Sequence, residues 1–160
     1  KNDVQYALFC RMHISEKTDL FFMQKALEEA QKAFDLEEVP VGAIITCNNQ
    51  IIARGYNYVE HLNDVTAHAE MQAFTAASGF LGGKFLNECT LYVTLEPCCM
   101  CAGASFLARI GRIVVAAKDL KNGFSIHSQN ILHPKTIIEY GLLENESKEM
   151  LQKFFDTKRK

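Results

Sequence analysis

Leu91-Tyr92-Val93-Thr94-Leu95-Glu96-Pro97-Cys98-Cys99-Met100-Cys101-Ala102-Gly103-Ala104 is the stretch whose reading decides this chain. Its first half is apolar and β-branched, which predicts a strand over Thr90–Thr94. Pro97 suits the first turn of a helix, where its missing N–H is no loss, and that helix should run through Cys101 to about Arg109. Cys98 and Cys101 stand three apart in that turn, so their sulfurs can converge on one point. The turn also presents free backbone N–H groups and the positive end of the helix dipole. Both favour thiolate over thiol, the form that binds metal.

His68-Ala69-Glu70 lies thirty positions upstream of Cys98, in the first turn of another expected helix. One His and two Cys supply three ligands for a tetrahedral zinc, one short of a closed structural site. The open corner leaves room for a water, whose pKa zinc would lower from near 15.7 to about 7. Glu70, two residues after His68, would face away from it on a long helix, so it is not expected to be a fourth ligand. Its role is that of a proton carrier between the water and a substrate.

These signals differ in weight. A lone Cys-x-x-Cys also occurs in thioredoxin-like redox pairs and by chance, and a lone His-x-Glu says almost nothing. Combined, with Pro before the first Cys and each half opening a helix, they match the pattern of zinc deaminases. A structural zinc would need a fourth ligand, and none of fitting spacing is evident. Cys99 must point elsewhere, Cys10, Cys47 and Cys89 read as isolated thiols, and His13, His61, His127 and His133 read as surface or loop residues.

The chain has the length of one domain, 160 residues, with 48% apolar and 22% charged residues. No apolar run approaches the roughly 20 residues that span a bilayer. The clustered cysteines favour metal over a disulfide framework and point to the reducing cytoplasm. Net charge is −2, which excludes a globally basic nucleic-acid binder. The charge is uneven, however. Residues 1–100 carry 13 acidic and 7 basic side chains, and residues 101–160 carry 6 acidic and 10 basic ones. A basic surface in the last third is therefore open to RNA, against the plainer reading of an ordinary solvated face.

Met23, Ala26, Leu27, Ala30, Ala33 and Phe34 recur at helical spacing and predict a first helix over Asp19–Asp35. Residues 1–17 read as a flexible extension in which Met12 is the candidate initiator, and 18–160 as a single domain. Val41–Cys47 and Gln50–Tyr56 form a hairpin around Asn48-Asn49. A polar loop, Asn57–Thr66, leads to a helix over Ala67–Ser78 with Thr66 as N-cap. Gly82-Gly83 ends it. Arg112–Ala117 and Thr136–Tyr140 are the remaining strands, and Glu144–Asp156 closes as a helix. Strands alternating with helices after a hairpin imply three layers around a mixed sheet.

Those motifs resemble the cytidine-deaminase-like superfamily, and further segments resemble its bacterial tRNA-specific adenosine deaminases. Glu38-Val39-Pro40-Val41-Gly42 is similar to the entry into that family's first strand, and Asp64-Val65-Thr66-Ala67-His68-Ala69-Glu70 to its first zinc motif. The Leu91–Ala104 stretch is close to its second. Arg109-Ile110, Asp119-x-Lys121-x-Gly123 and Phe154-Phe155 also fit, and the resemblance runs from about Asp19 to Lys160.

The resemblance implies an α/β/α domain with a mixed five-stranded sheet. It also implies hydrolytic conversion of adenosine to inosine at the wobble position of a tRNA anticodon loop, by a homodimer. It assigns one zinc to His68, Cys98 and Cys101, and proton transfer to Glu70. The Ala69 amide and the Asn57 side chain would contact the flipped base, Pro97 would offer its carbonyl to the departing ammonia, and Val41 would wall the pocket. Asp119 would stand near the ribose, where a 2′-hydroxyl distinguishes RNA from DNA. Lys121, Arg109, Lys158, Arg159 and Lys160 are phosphate candidates. Three departures stand out: Val65 replaces a usual Pro, Ala116 a common Gly, and the stretch 123–133 is short. The rival readings are a deaminase of a free base or nucleoside such as guanine, and an inactive RNA-binding subunit. Glu70 argues against the second.

Overall fold

The structure is a computed structural model that describes residues 2–128 and 130–159, with side chains from residue 18 onward. The chain opens on helix α1 (Asn2–Asp35), whose backbone is helical well before the expected start at Asp19. The hairpin strands β1 (Gly42–Cys47) and β2 (Gln50–Tyr56) follow. Asn48 and Asn49 both take positive φ in the turn, 50° and 59°, as a two-residue hairpin requires. The expected polar loop holds a short helix, α2 (Val59–Leu62), and then comes α3 (Ala69–Leu81). Strand β3 (Cys89–Leu95), helix α4 (Cys99–Ala108), strands β4 (Arg112–Ala117) and β5 (Ile137–Tyr140), and helix α5 (Glu144–Lys158) complete the order.

The five strands form one sheet in the order β2-β1-β3-β4-β5. β1 pairs antiparallel with β2 and β3, whereas β3–β4 and β4–β5 are parallel, so the sheet is mixed as expected. Alternation along the strands divides the core in two. Ala43, Ile45, Leu91, Val93, Ile113 and Val115 face α3 and α4. Ile44, Tyr92, Val114 and Ala116 face the other way, onto Phe22, Met23 and Ala26 of α1. Removing an Ile- or Leu-sized side chain from water contributes about 1.5–3 kcal/mol, so these two layers dominate stability. α5 joins the α1 side through the Ser147 hydroxyl, which donates to the Thr94 carbonyl at 2.6 Å, and through the Phe34–Phe154 edge contact.

Two boundaries differ from expectation in ways that matter for the site. Thr66 does not cap α3, because its N–H and hydroxyl are both engaged by Asp64 Oδ1 at 2.8 and 2.7 Å. His68, in extended backbone, takes the N-cap position instead. Likewise α4 begins at Cys99 with Cys98 as N-cap, so Pro97 precedes the helix rather than opening it. Both helices therefore start at the edge of the sheet where β3 and β4 end.

Candidate active site

His68 and Cys98 are both helix N-caps in extended backbone, at φ/ψ of −70°/154° and −71°/173°. Extended caps turn their side chains out of the helical spiral. That is why helical spacing misleads at His68-x-Glu70: with His68 outside the helix and Glu70 in its first turn, both face one cavity. Cys101 completes the point from inside the first turn of α4. Their ligating atoms all lie within 4.8 Å of one another.

The spacing is that of a zinc site. Bonds of about 2.3 Å to sulfur and 2.05 Å to nitrogen at tetrahedral angles place sulfur and nitrogen about 3.6 Å apart. His68 Nδ1 stands 3.6 Å from Cys98 Sγ and 3.5 Å from Cys101 Sγ. The donor set also suits the ion, since two thiolates and an imidazole are ordinary zinc ligands. A hydrogen bond from Cys101, joined by one from His68, outweighs burial and draws the Cys98 thiol down to about 4. Cys101, giving that bond and itself buried, is pushed far above the thiol range. A divalent cation would release that remaining proton.

Glu70 is 3% exposed beside this point, and burial raises its carboxyl from 4.5 to about 7. A carboxyl near neutrality can both take and give a proton at working pH. The cavity above it measures about 350 Å3. Val41, Asn57, Ala69 and Asp119 line it, as do Glu38, Glu96 and Asn122.

The remaining expected site residues, Lys160 apart, each have a definite place. The Pro97 carbonyl accepts the Phe124 N–H at 2.9 Å and Pro97 does not line the cavity. Asp119 Oδ1 accepts the N–H groups of Lys121 and Asn122 at 2.9 and 3.0 Å, so the loop curls around its carboxylate. The Lys121 side chain stays exposed outside the cavity lining. Arg109 lies at the far end of α4, about 16 Å from Cys98 by helical rise, with its guanidinium 4.3 Å over the Phe85 ring. Lys158 pairs with Glu37 at 3.2 Å, and Arg159 with Asp156 at 4.0 Å. Lys160 lies outside the described residues.

Sequence reading passed over two buried carboxylates. Glu38 accepts from Asn57 Nδ2 at 3.2 Å and from the His61 N–H at 2.8 Å, which fixes the direction of the Asn57 amide in the cavity wall. Glu96 accepts two backbone N–H groups from the loop after β4. The signal was available in principle: each is a charged residue just before or just after an apolar strand, where a lone carboxylate needs partners.

Sheet and metal point together define a class, the zinc-dependent deaminases. Residues 16–117 match the cytidine and deoxycytidylate deaminase zinc-binding region. The chain is 46% identical over 140 residues to the tRNA-specific adenosine deaminase of Aquifex aeolicus (strain VF5), covering 84% of this chain and 92% of that protein. It is 44% identical over 143 residues to the tRNA-specific adenosine deaminase of Agrobacterium fabrum (strain C58), covering 86% and 94%. A solved structure from a study of A-to-I editing by tRNA:A34 deaminases superposes with a TM-score of 0.76 at 41% identity, covering 81% of this chain and 98% of that one. The chain belongs to the family of tRNA-specific adenosine deaminases.

Proposed function

We propose that this chain hydrolyses the 6-amino group of adenosine at the wobble position of a tRNA anticodon loop, giving inosine and ammonia. One observation carries the reading: Glu70, buried and near neutrality, sits beside the His68–Cys98–Cys101 point at the floor of a cavity sized for a nucleoside. The names of the relatives support the choice of substrate.

Zinc bound there lowers the pKa of water to about 7 and so supplies a nucleophile at neutral pH. Glu70 takes one proton from the attacking water and gives it to N1 of the base as the C6–O bond forms. It then carries the proton of the new C6 hydroxyl to the amine, so that the C6–N bond breaks, the C6 carbonyl forms and ammonia leaves. The Ala69 N–H is a first-turn donor without an intrahelical partner and is free to bind the base. The Asn57 amide, held by Glu38, meets the base edge, and Val41 packs against its face. Asp119 stands on the ribose side. A base must leave its stack to enter such a cavity, which favours a single-stranded loop over a duplex.

The catalytic unit is residues 18–160, with 1–17 as an extension, and it works as a homodimer in the cytoplasm. Exposed apolar side chains, Phe106 and Leu107 on α4 and Leu62 and Val65 before α3, support dimerisation. The free cysteines support a reducing compartment. Among the described residues no helix is long and apolar enough to cross a membrane. Lys121 is the phosphate contact nearest the cavity. Arg109, Lys158, Arg159 and Lys160 would meet other stretches of the RNA, from this protomer or its partner.

The test compares turnover of an RNA anticodon stem-loop, free adenosine and guanine. Turnover of the stem-loop alone is expected, and robust guanine turnover would replace this reading with that of a free-base deaminase.

A further inference from the structure

Glu96 directly follows β3, next to the metal-ligand loop, and is 3% exposed, yet has no role in the chemistry above. Burying a carboxylate is costly unless each oxygen finds donors. Both oxygens do so in the same loop: Oε2 accepts the Asp119 N–H at 3.2 Å and Oε1 the Ser125 N–H at 3.1 Å. The neighbouring backbone joins the attachment. Phe124 N–H donates to the Pro97 carbonyl at 2.9 Å, and Gly123 bridges to Cys98. Gly123 leaves no room between the two segments. Its φ of −60° needs no glycine, but a Cβ there would lie 2.7 Å from the Glu96 carboxylate and 2.5 Å from the Asp119 carbonyl. The loop's own regular structure is a single 3-10 turn, Phe124–Ile126, so its position depends on these attachments.

We infer that Glu96 is a positioning residue for substrate: it holds the 119–125 loop against the metal-ligand segment and so keeps Asp119 and Asn122 at the cavity rim. The inference rests on the functional reading above for the identity of the substrate, but not for the attachment itself. Because Glu96 acts through the loop and not on the reacting atoms, its loss should weaken substrate binding while leaving the chemical step in place. Glutamine is the informative replacement. Both carboxylate oxygens accept backbone N–H groups, so an amide, whichever way it turns, sets its NH2 against one of them.

The test uses the full zinc-loaded chain, an RNA anticodon stem-loop as probe, and the variants Glu96→Gln and Gly123→Ala, which attack the contact from opposite sides. Loss of one buried hydrogen bond and loosening of the second should raise KM about tenfold, with kcat within about twofold and zinc content unchanged. Amide exchange should accelerate across 119–125 and stay as in the parent chain across α5. Unchanged exchange in 119–125 for both variants overturns the proposal, as does a fall in kcat at constant KM. The exchange measurement needs no substrate, so failure of the stem-loop to react would count against the functional reading while exchange across 119–125 still decides the role of Glu96. If Glu96→Gln does not fold, Gly123→Ala alone decides by the same two readouts.

Discussion

Gly55 of β2 lies directly against Ala69 of α3: a Cβ on Gly55 would come within 2.2 Å of the Ala69 carbonyl oxygen and 3.0 Å of the Ala73 nitrogen. Ala69 stands between His68 and Glu70, so this close approach of strand and helix sets the height of both functional side chains above the sheet. Gly55→Ala should force the start of α3 outward. Overpacking of this kind costs about 1–3 kcal/mol, and a shift of about 1 Å at a reacting group can cost about a hundredfold in rate. Denaturant unfolding and single-turnover kinetics check both effects, and a variant of parental rate would dismiss the contact as the spacer.

Glu70→Ala removes the proton carrier while leaving the three metal donors in place. The expected result is a loss of about 10²–10⁴ in kcat, with parental zinc content and parental stability or better, since a buried carboxyl is removed. Metal analysis beside the rate measurement separates lost chemistry from lost zinc. An undiminished rate would take Glu70 out of the mechanism.

Chelation should abolish activity and zinc should restore it. The metal-free chain should also expose a reactive thiolate. Cys98, held at about 4 mainly by the hydrogen bond from Cys101, is ionised at neutral pH and partly exposed, whereas Cys101 is buried. Alkylation followed by peptide mapping should therefore mark Cys98 ahead of Cys101 in the metal-free chain and spare both when zinc is present. Equal labelling with and without zinc would argue that these sulfurs are not its ligands.

A pH effect on stability comes from the opposite face of the sheet. Burial acts to raise the Asp19 carboxyl, but hydrogen bonds from Arg112 at 2.8 and 2.6 Å and from Tyr92 at 2.6 Å outweigh it, and the net shift is downward from 3.8. A depressed carboxyl contributes stability that is present above its unfolded value and lost as pH falls through the folded one. Asp19→Asn should thus cost about 1 kcal/mol at neutral pH after allowance for solvent screening. The difference from the parent chain should close below pH 3.8. A constant gap down to pH 2 would assign the cost to packing rather than charge.

Much of this was legible beforehand, for physical reasons. Alternation in Ile44-Ile45 and Leu91–Val93 encodes two-sided burial, so the strands and their layer order could be read. The Pro97–Cys101 segment encodes a metal point because a sulfur at the N-cap and another three residues on, in the first turn, can reach one ion. What could not be read depends on tertiary contact. Whether Thr66 or His68 caps α3 turns on Asp64 capturing the Thr66 hydroxyl. The roles of Glu38 and Glu96 exist only where residues 19 to 29 positions away bring donors to them. Asn122 reaches the cavity because the 119–125 loop folds back on β3, and no local pattern announces that.

Deamination of a wobble adenosine is tested most directly by mass spectrometry of an RNA anticodon stem-loop incubated with the zinc-loaded chain. Exchange of amine for oxygen adds about one dalton at that adenosine, and fragmentation should place the gain at the wobble position and at no other adenine. An unchanged loop in the presence of bound zinc, or a gain scattered over all adenines, would contradict this function.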